Sequence, residues 1–118
     1  MSGETSYYAG LSAEDSVARR YQRDGYEIAA RRWRGQGGEI DLIARRHGQV
    51  VFIEVKKSRS FAQASLALSE RQMRRLYTAA SEYLADEPRG QDTDSRFDAA
   101  LVNQTGELKI IQNAFGQF

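Results

Sequence analysis

A chain of 118 residues suits one compact domain with a real core, and it needs no disulfide staple. The absence of cysteine excludes thiolate metal sites, cysteine nucleophiles and redox switching, and is compatible with a reducing cytosol. Net charge is only +1, yet residues 19–59 hold 11 Lys/Arg against 5 Asp/Glu, a basic middle that suits a polyanionic partner or a solvated, mixed-charge surface.

The opening stretch, MSGETSYYAG, has neither the basic nor the apolar region of a signal peptide. No apolar run approaches the ~20 residues that span a bilayer. A cytoplasmic protein with no membrane partner is therefore expected. Residues 1–9 are expected to form a flexible N-terminus. Ser12 and Asp15 make a capping-box-like pair that predicts a helix start, with Val17, Ala18 and Tyr21 as its apolar stripe and Gly25 as its end. Glu14 falls on that stripe, an odd place for a carboxylate.

Tyr26 to Trp33 reads as a strand with the basic exit RRWRGQGG. Glu39 to Arg46 and Val50 to Lys57 read as a hairpin turning at His47-Gly48. The single histidine is thus a turn residue, which makes a Ser-His-Asp triad and a multi-histidine zinc site poor candidates. The apolar residues of these strands are nearly continuous, which predicts a sheet covered on both faces. Residues 58–67 read as a loop or a short helical piece. Ser69 and Gln72 form a second capping box that opens a long helix. Leu76, Ala79, Ala80, Tyr83 and Leu84 line one side of it, and Arg71, Arg74 and Arg75 the other. Pro88 lies beyond its end, and residues 87–95 are expected to be a mobile loop. Phe97 to Val102 and Leu108 to Ile111 complete the strands. The order is α-β-β-β-α-β with a terminal strand, an α/β fold with a central mixed sheet flanked by helices, in a single domain over residues 1–118.

Asp41 stands between Ile40 and Leu42, and Glu54 between Ile53 and Val55, with Lys56 next along the strand. Ionised groups in apolar strands are costly unless compensated. Alternation points Glu54 and Lys56 the same way. A turn centred on His47-Gly48 sets position 45 opposite 50, and so Asp41 opposite Glu54, where like charges repel. A divalent cation resolves the repulsion, and Mg²⁺ prefers one or two carboxylates, several waters and phosphate oxygens. Lys56 is then one step from a phosphate oxygen or from water at the metal, and Glu14 reaches the cluster from its helix. Together these parts make a phosphodiester-cleaving site. The alternative is a buried ion-pair network of Asp41, Glu54 and Lys56, which leaves one charge unpaired. Glu39 reads as a solvated strand-end acid, or as a rim acid of the site. Gly37-Gly38 reads as a turn sooner than a phosphate cradle. Gln72 suits a capping role and a site hydrogen bond equally well. Trp33 and Tyr26 read as core residues sooner than base-stacking platforms.

The helical Glu14, then EIDLIA, then VFIEVKK, resembles the PD-(D/E)XK nuclease superfamily. The pattern is most similar to the small YraN-like family of predicted endonucleases, similar in turn to archaeal Holliday junction resolvases. The likeness runs from Gly10 through RFDAALV to the NAF at residues 113–115. It implies a restriction endonuclease-like αβββαβ core and an endonuclease acting on DNA with Mg²⁺ or Mn²⁺, on branched or repair intermediates among its substrates. Position by position, it implies that Asp41, Glu54 and Lys56 are the core triad, that Glu14 is the helical acid, and that Glu39 is the Glu of GEIDLI. Metal ligands would be Asp41, Glu54 and Glu14, with the Val55 carbonyl. Arg31, Arg32, Arg34, Arg71, Gln72, Arg74 and Arg75 would contact nucleic acid. Gln72 stands where the family usually carries Lys, and Arg32 where Asn is common, departures that bear on substrate preference. A homodimer is the oligomer that the resolvase likeness suggests. Two rival readings stay open: a non-catalytic nucleic-acid-binding module on the same fold, and a protein-interaction domain with structural acids.

Overall fold

Strands rich in Ile, Val and Leu build a five-stranded sheet, and two helices lay apolar stripes on its opposite faces. The computed structural model describes the backbone of residues 3–115 and the side chains of residues 12–115. Its elements are α1 (Gly3–Arg23), β1 (Glu27–Arg34), β2 (Glu39–Arg46), β3 (Gln49–Lys57), α2 (Phe61–Leu66), α3 (Glu70–Leu84), a 3₁₀ turn (Gly90–Asp92), β4 (Ser95–Val102) and β5 (Leu108–Ile111). The sheet order is β1-β2-β3-β4-β5. Only β3 and β4 run parallel, because α2 and α3 carry the chain across between them; the other neighbours are antiparallel. This is the expected α/β fold, with a mixed sheet flanked by helices.

Val17, Ala18 and Tyr21 of α1 pack on Leu42, Ala44, Val51, Ile53, Ala100 and Val102. On the opposite face, Leu76, Ala79, Ala80 and Leu84 of α3 pack on Ile40, Ile43, Val50, Phe52 and Phe97. Burial from both sides is why β2, β3 and β4 are apolar almost throughout, where a one-sided sheet would alternate. The sheet and both helices therefore share one core in two layers. Among the described residues, no helix is long and apolar enough to cross a membrane.

The β2–β3 turn follows from its two central residues. His47 has φ 51° and Gly48 φ 80°, with Arg46 and Gln49 paired across them. Two successive positive φ values give the hairpin turn whose twist matches the strands. The register then runs Arg45 to Val50, Ala44 to Val51, Ile43 to Phe52 and Leu42 to Ile53.

The first helix differs from expectation at its start. It begins at Gly3, not at Ser12, and Ser12 is an exposed residue inside it. Residues 3–23 contain no proline, and carrying Gly10 inside a helix costs only about 1 kcal/mol. The Ser-x-x-Asp pattern marks a helix start only where the preceding backbone is not already helical. Of the residues expected to be a flexible N-terminus, 3–9 have helical backbone, and 1 and 2 lie outside the described residues. Ser69, in contrast, caps α3 as expected: its side chain accepts the N–H of Gln72. Residues 58–67 resolve into α2, capped by Ser60. In the 87–95 segment, Gln91 donates to the Ser81 carbonyl at 3.0 Å, and Glu87 pairs with Arg45.

Candidate metal and phosphate site

The β2–β3 ladder ends at Leu42 and Ile53, one step short of the point where Asp41 and Glu54 would face each other. There the Asp41 side chain takes over the pairing. Its Oδ2 accepts the Val55 N–H at 2.8 Å, so a carboxylate stands where a strand carbonyl would be. The two strands part around this pair of acids.

Glu54 follows Phe52 on the α3 side of β3 and is only 6 % exposed. The Asp41 carboxyl is its neighbour and acts on it through charge and hydrogen bonding. Gln72 Nε2 donates to Glu54 Oε2 at 3.1 Å. Burial pushes the Glu54 carboxyl up to about 9, with the hydrogen bond and charge of Asp41 adding to the rise; Lys56 and Gln72 oppose it. Burial and the second acid thus favour the protonated form of Glu54, and a group that favours a positive charge beside it is what a cation site requires.

The pair opens on a cavity of about 330 Å³, lined also by Glu14, Glu39, Lys56 and Gln72. Lys56 belongs to none of the ion pairs among the described residues. The ion-pair network weighed as an alternative is therefore not formed at this site. Glu14 reaches the cavity from α1, half-buried, and its carboxyl is raised by burial first and by Asp41 next. Among the described residues no group of three acids or histidines is gathered closely enough to hold an ion. Asp41 and Glu54 form the close pair, and Glu14 stands off as a third carboxylate. Two neighbouring carboxyl groups at a cavity with room for water fit Mg²⁺ or Mn²⁺, which keep much of their hydration. Glu39 sits at the rim and is held by Arg34 at 3.1 Å and by Arg32 at 3.6 Å.

Gln72 fulfils both of its readings with different atoms. Its backbone N–H goes to Ser69 Oγ at 3.1 Å, and its side chain to Glu54. The arginines sort by partner. Arg31 pairs with Asp15, Arg32 and Arg34 with Glu39, and Arg74 with Glu70. Arg71 and Arg75 have no carboxylate within ion-pair distance among the described residues. The Gly37 loop behaves as a turn pressed on α3. A Cβ at Gly37 would lie 2.3 Å from Thr78 Cγ2, and the N–H groups of Gln36 and Gly37 already hold the Glu82 carboxylate. Trp33 and Tyr26 are core residues: Trp33 packs edge-on against Tyr83, and Tyr26 against Tyr21.

Sequence reasoning missed a fully buried acid. Asp98 on β4 is 0 % exposed. It accepts from Tyr21 Oη at 2.7 Å, Arg96 Nε at 2.9 Å and the Asn113 N–H at 3.0 Å. Arg96 also donates to Tyr26 Oη and Gln49. Burial and the neighbouring Asp98 raise the Tyr21 phenol, which stays protonated as a donor. The signal was present as Arg96-x-Asp98, an alternating charge pair in an apolar strand, like Glu54-x-Lys56. Asp98 does not line the cavity; here the charge is compensated internally.

The uncharacterised protein family UPF0102 matches residues 13–102, a span that holds all of the cavity-lining residues. The chain is 65 % identical over 115 residues to a UPF0102 protein of Cereibacter sphaeroides, covering 98 % of each. It is 58 % identical to one of Ruegeria pomeroyi, covering 97 % of this chain and 93 % of that one. A more distant UPF0102 protein, from Dinoroseobacter shibae, is 40 % identical, with 94 % and 83 % covered. With most of its length inside the family's match and near-full-length relatives at this identity, the chain belongs to the UPF0102 family.

Proposed function

We propose that this protein is a Mg²⁺- or Mn²⁺-dependent endonuclease that hydrolyses DNA phosphodiester bonds at the Asp41–Glu54 cavity. The observation that carries the reading is the carboxyl pair: two neighbouring acids, one of them buried, at the wall of an open cavity, beside a lysine that has no ion-pair partner among the described residues. The αβββαβ order is compatible with a restriction endonuclease-like core, and the D…E-x-K pattern is that of the PD-(D/E)XK superfamily. A divalent ion, when bound, supplies charge neutralisation and polarises the phosphate.

The chain's own groups divide the remaining work. Asp41 and Glu54 would hold a divalent cation as carboxylates, with the Val55 carbonyl as a neutral oxygen beside them. Gln72 fixes the Glu54 carboxyl by its hydrogen bond. Lys56 donates to a phosphate oxygen or orients the attacking water, and so opposes the charge that develops in the transition state. Glu14 accepts a hydrogen bond from water in the cavity. Water adds its oxygen to phosphorus and gives up a proton to solvent, one P–O ester bond breaks, and the leaving oxygen takes a proton from solvent.

The test is incubation with branched, flapped and linear DNA plus Mn²⁺, alongside Asp41→Ala and Lys56→Ala. Cleavage by the parent protein and a loss of at least 100-fold in each variant is the expected result, the scale of removing one preorganised charge-stabilising group. Cleavage that survives both substitutions belongs to a contaminant. Salt-sensitive DNA binding without cleavage or Mn²⁺ uptake would instead support the non-catalytic module.

A further inference from the structure

A second cavity, of about 350 Å³, opens at the start of α3 and is lined by Ser69, Arg71, Gln72 and Arg75. Gln72 lines this cavity and the carboxylate cavity alike, so the two adjoin at its side chain. Arg71 and Arg75 stand four residues apart on one stripe of α3, where like charges repel. The nearest helical acid, Glu70, is already engaged by Arg74 at 3.3 Å. Ser69 Oγ accepts the Gln72 N–H, which leaves its hydroxyl proton available to donate. Two guanidinium groups with no carboxylate partner among the described residues, and a hydroxyl donor, in one concave space, supply the charge and the donors that a tetrahedral oxyanion takes.

Resting on the reading of the neighbouring cavity as the site of the phosphate to be cut, we propose that the Arg71–Arg75 cavity holds the adjacent phosphate of the same strand. Consecutive phosphates are separated by one sugar, and the two cavities share Gln72 in their linings, so one strand can enter both. The substrate is then a strand with phosphates on both sides of a nucleotide. The cavity anchors the backbone without reading bases, since a phosphate contact carries no sequence information.

The experiment uses fluorescence anisotropy of a labelled oligothymidylate in EDTA, so that binding is read without cleavage. Arg71→Ala/Arg75→Ala should raise Kd at least tenfold at low salt. It should also reduce the slope of log K against log salt by about one, the loss of roughly one phosphate contact. Arg71→Lys/Arg75→Lys, which keeps the charge, should retain the parent slope and shows that the effect is electrostatic. A double alanine variant that binds with the parent Kd and slope overturns the proposal. Cleavage with Mn²⁺ is scored separately: its absence in the parent protein counts against the hydrolytic reading, whereas an unchanged Kd counts against the anchoring cavity.

Discussion

Glu54 is held in two incompatible conditions, buried among apolar side chains and pressed against a second acid. Without metal, folding raises its affinity for a proton. The unfolded carboxyl titrates near its ordinary 4.5, and the folded one at about 9. Between those values the folded state binds the extra proton, so stability is greatest below the unfolded pKa and falls as pH rises toward the folded one. In EDTA, the thermal midpoint is therefore expected to decline from pH 5 to pH 9. Glu54→Gln keeps the shape, still accepts from Gln72 and can donate to Asp41. It should flatten that decline and melt higher than the parent at pH 8, while losing Mn²⁺ uptake. A variant that melts lower at pH 8 would show that the Glu54 charge is compensated without metal. Lys56, one step along, would be the group responsible.

At the scale of elements, the two acids that the strands bury have opposite solutions. Asp98 is compensated within the fold: Tyr21 from α1, Arg96 from its own strand and the backbone of Asn113 all converge on it. It ties α1, β4 and the turn after β5 together. Removing one partner of a buried, hydrogen-bonded pair leaves the other charge stranded, at a cost of roughly 3–5 kcal/mol. Asp98→Ala should lose about that much in urea titration, at any metal concentration. The Asp41–Glu54 pair has no ion pair among the described residues, and the groups around it come from both helices. Gln72 arrives from α3 on one face, and Glu14 from α1 on the other.

For the whole molecule, a site at the parting of β2 and β3 couples metal binding to the integrity of both layers. An ion that binds only the folded state stabilises it by about 2.7 kcal/mol at 100 times Kd. Mn²⁺ should thus raise the thermal midpoint of the parent and leave that of Asp41→Ala unmoved. Calorimetry at pH 7 in buffers of different ionisation enthalpy should show about one proton released per ion, because Glu54 must ionise to bind. Binding without proton release would place the metal elsewhere. Much of this was legible in one dimension. Near-continuous apolar runs marked a sheet covered twice, and counting back from a turn centred on His47-Gly48 gave the register that the ladder keeps as far as Leu42 and Ile53, because hairpin register is local. The start of α1 was misread, since a capping pattern cannot tell whether the backbone before it is already helical. Amino-acid order alone thus determined the elements, the hairpin register and the acids in need of compensation. Tertiary structure decided how each was answered: Gln72 on Glu54, Arg96 and Tyr21 on Asp98, Glu82 in the Gly37 loop, and two arginines with no carboxylate partner among the described residues. The physical reason is that hydrogen bonds and ion pairs act over a few ångströms, and which side chains come that close depends on how helices dock, a property that no local periodicity contains.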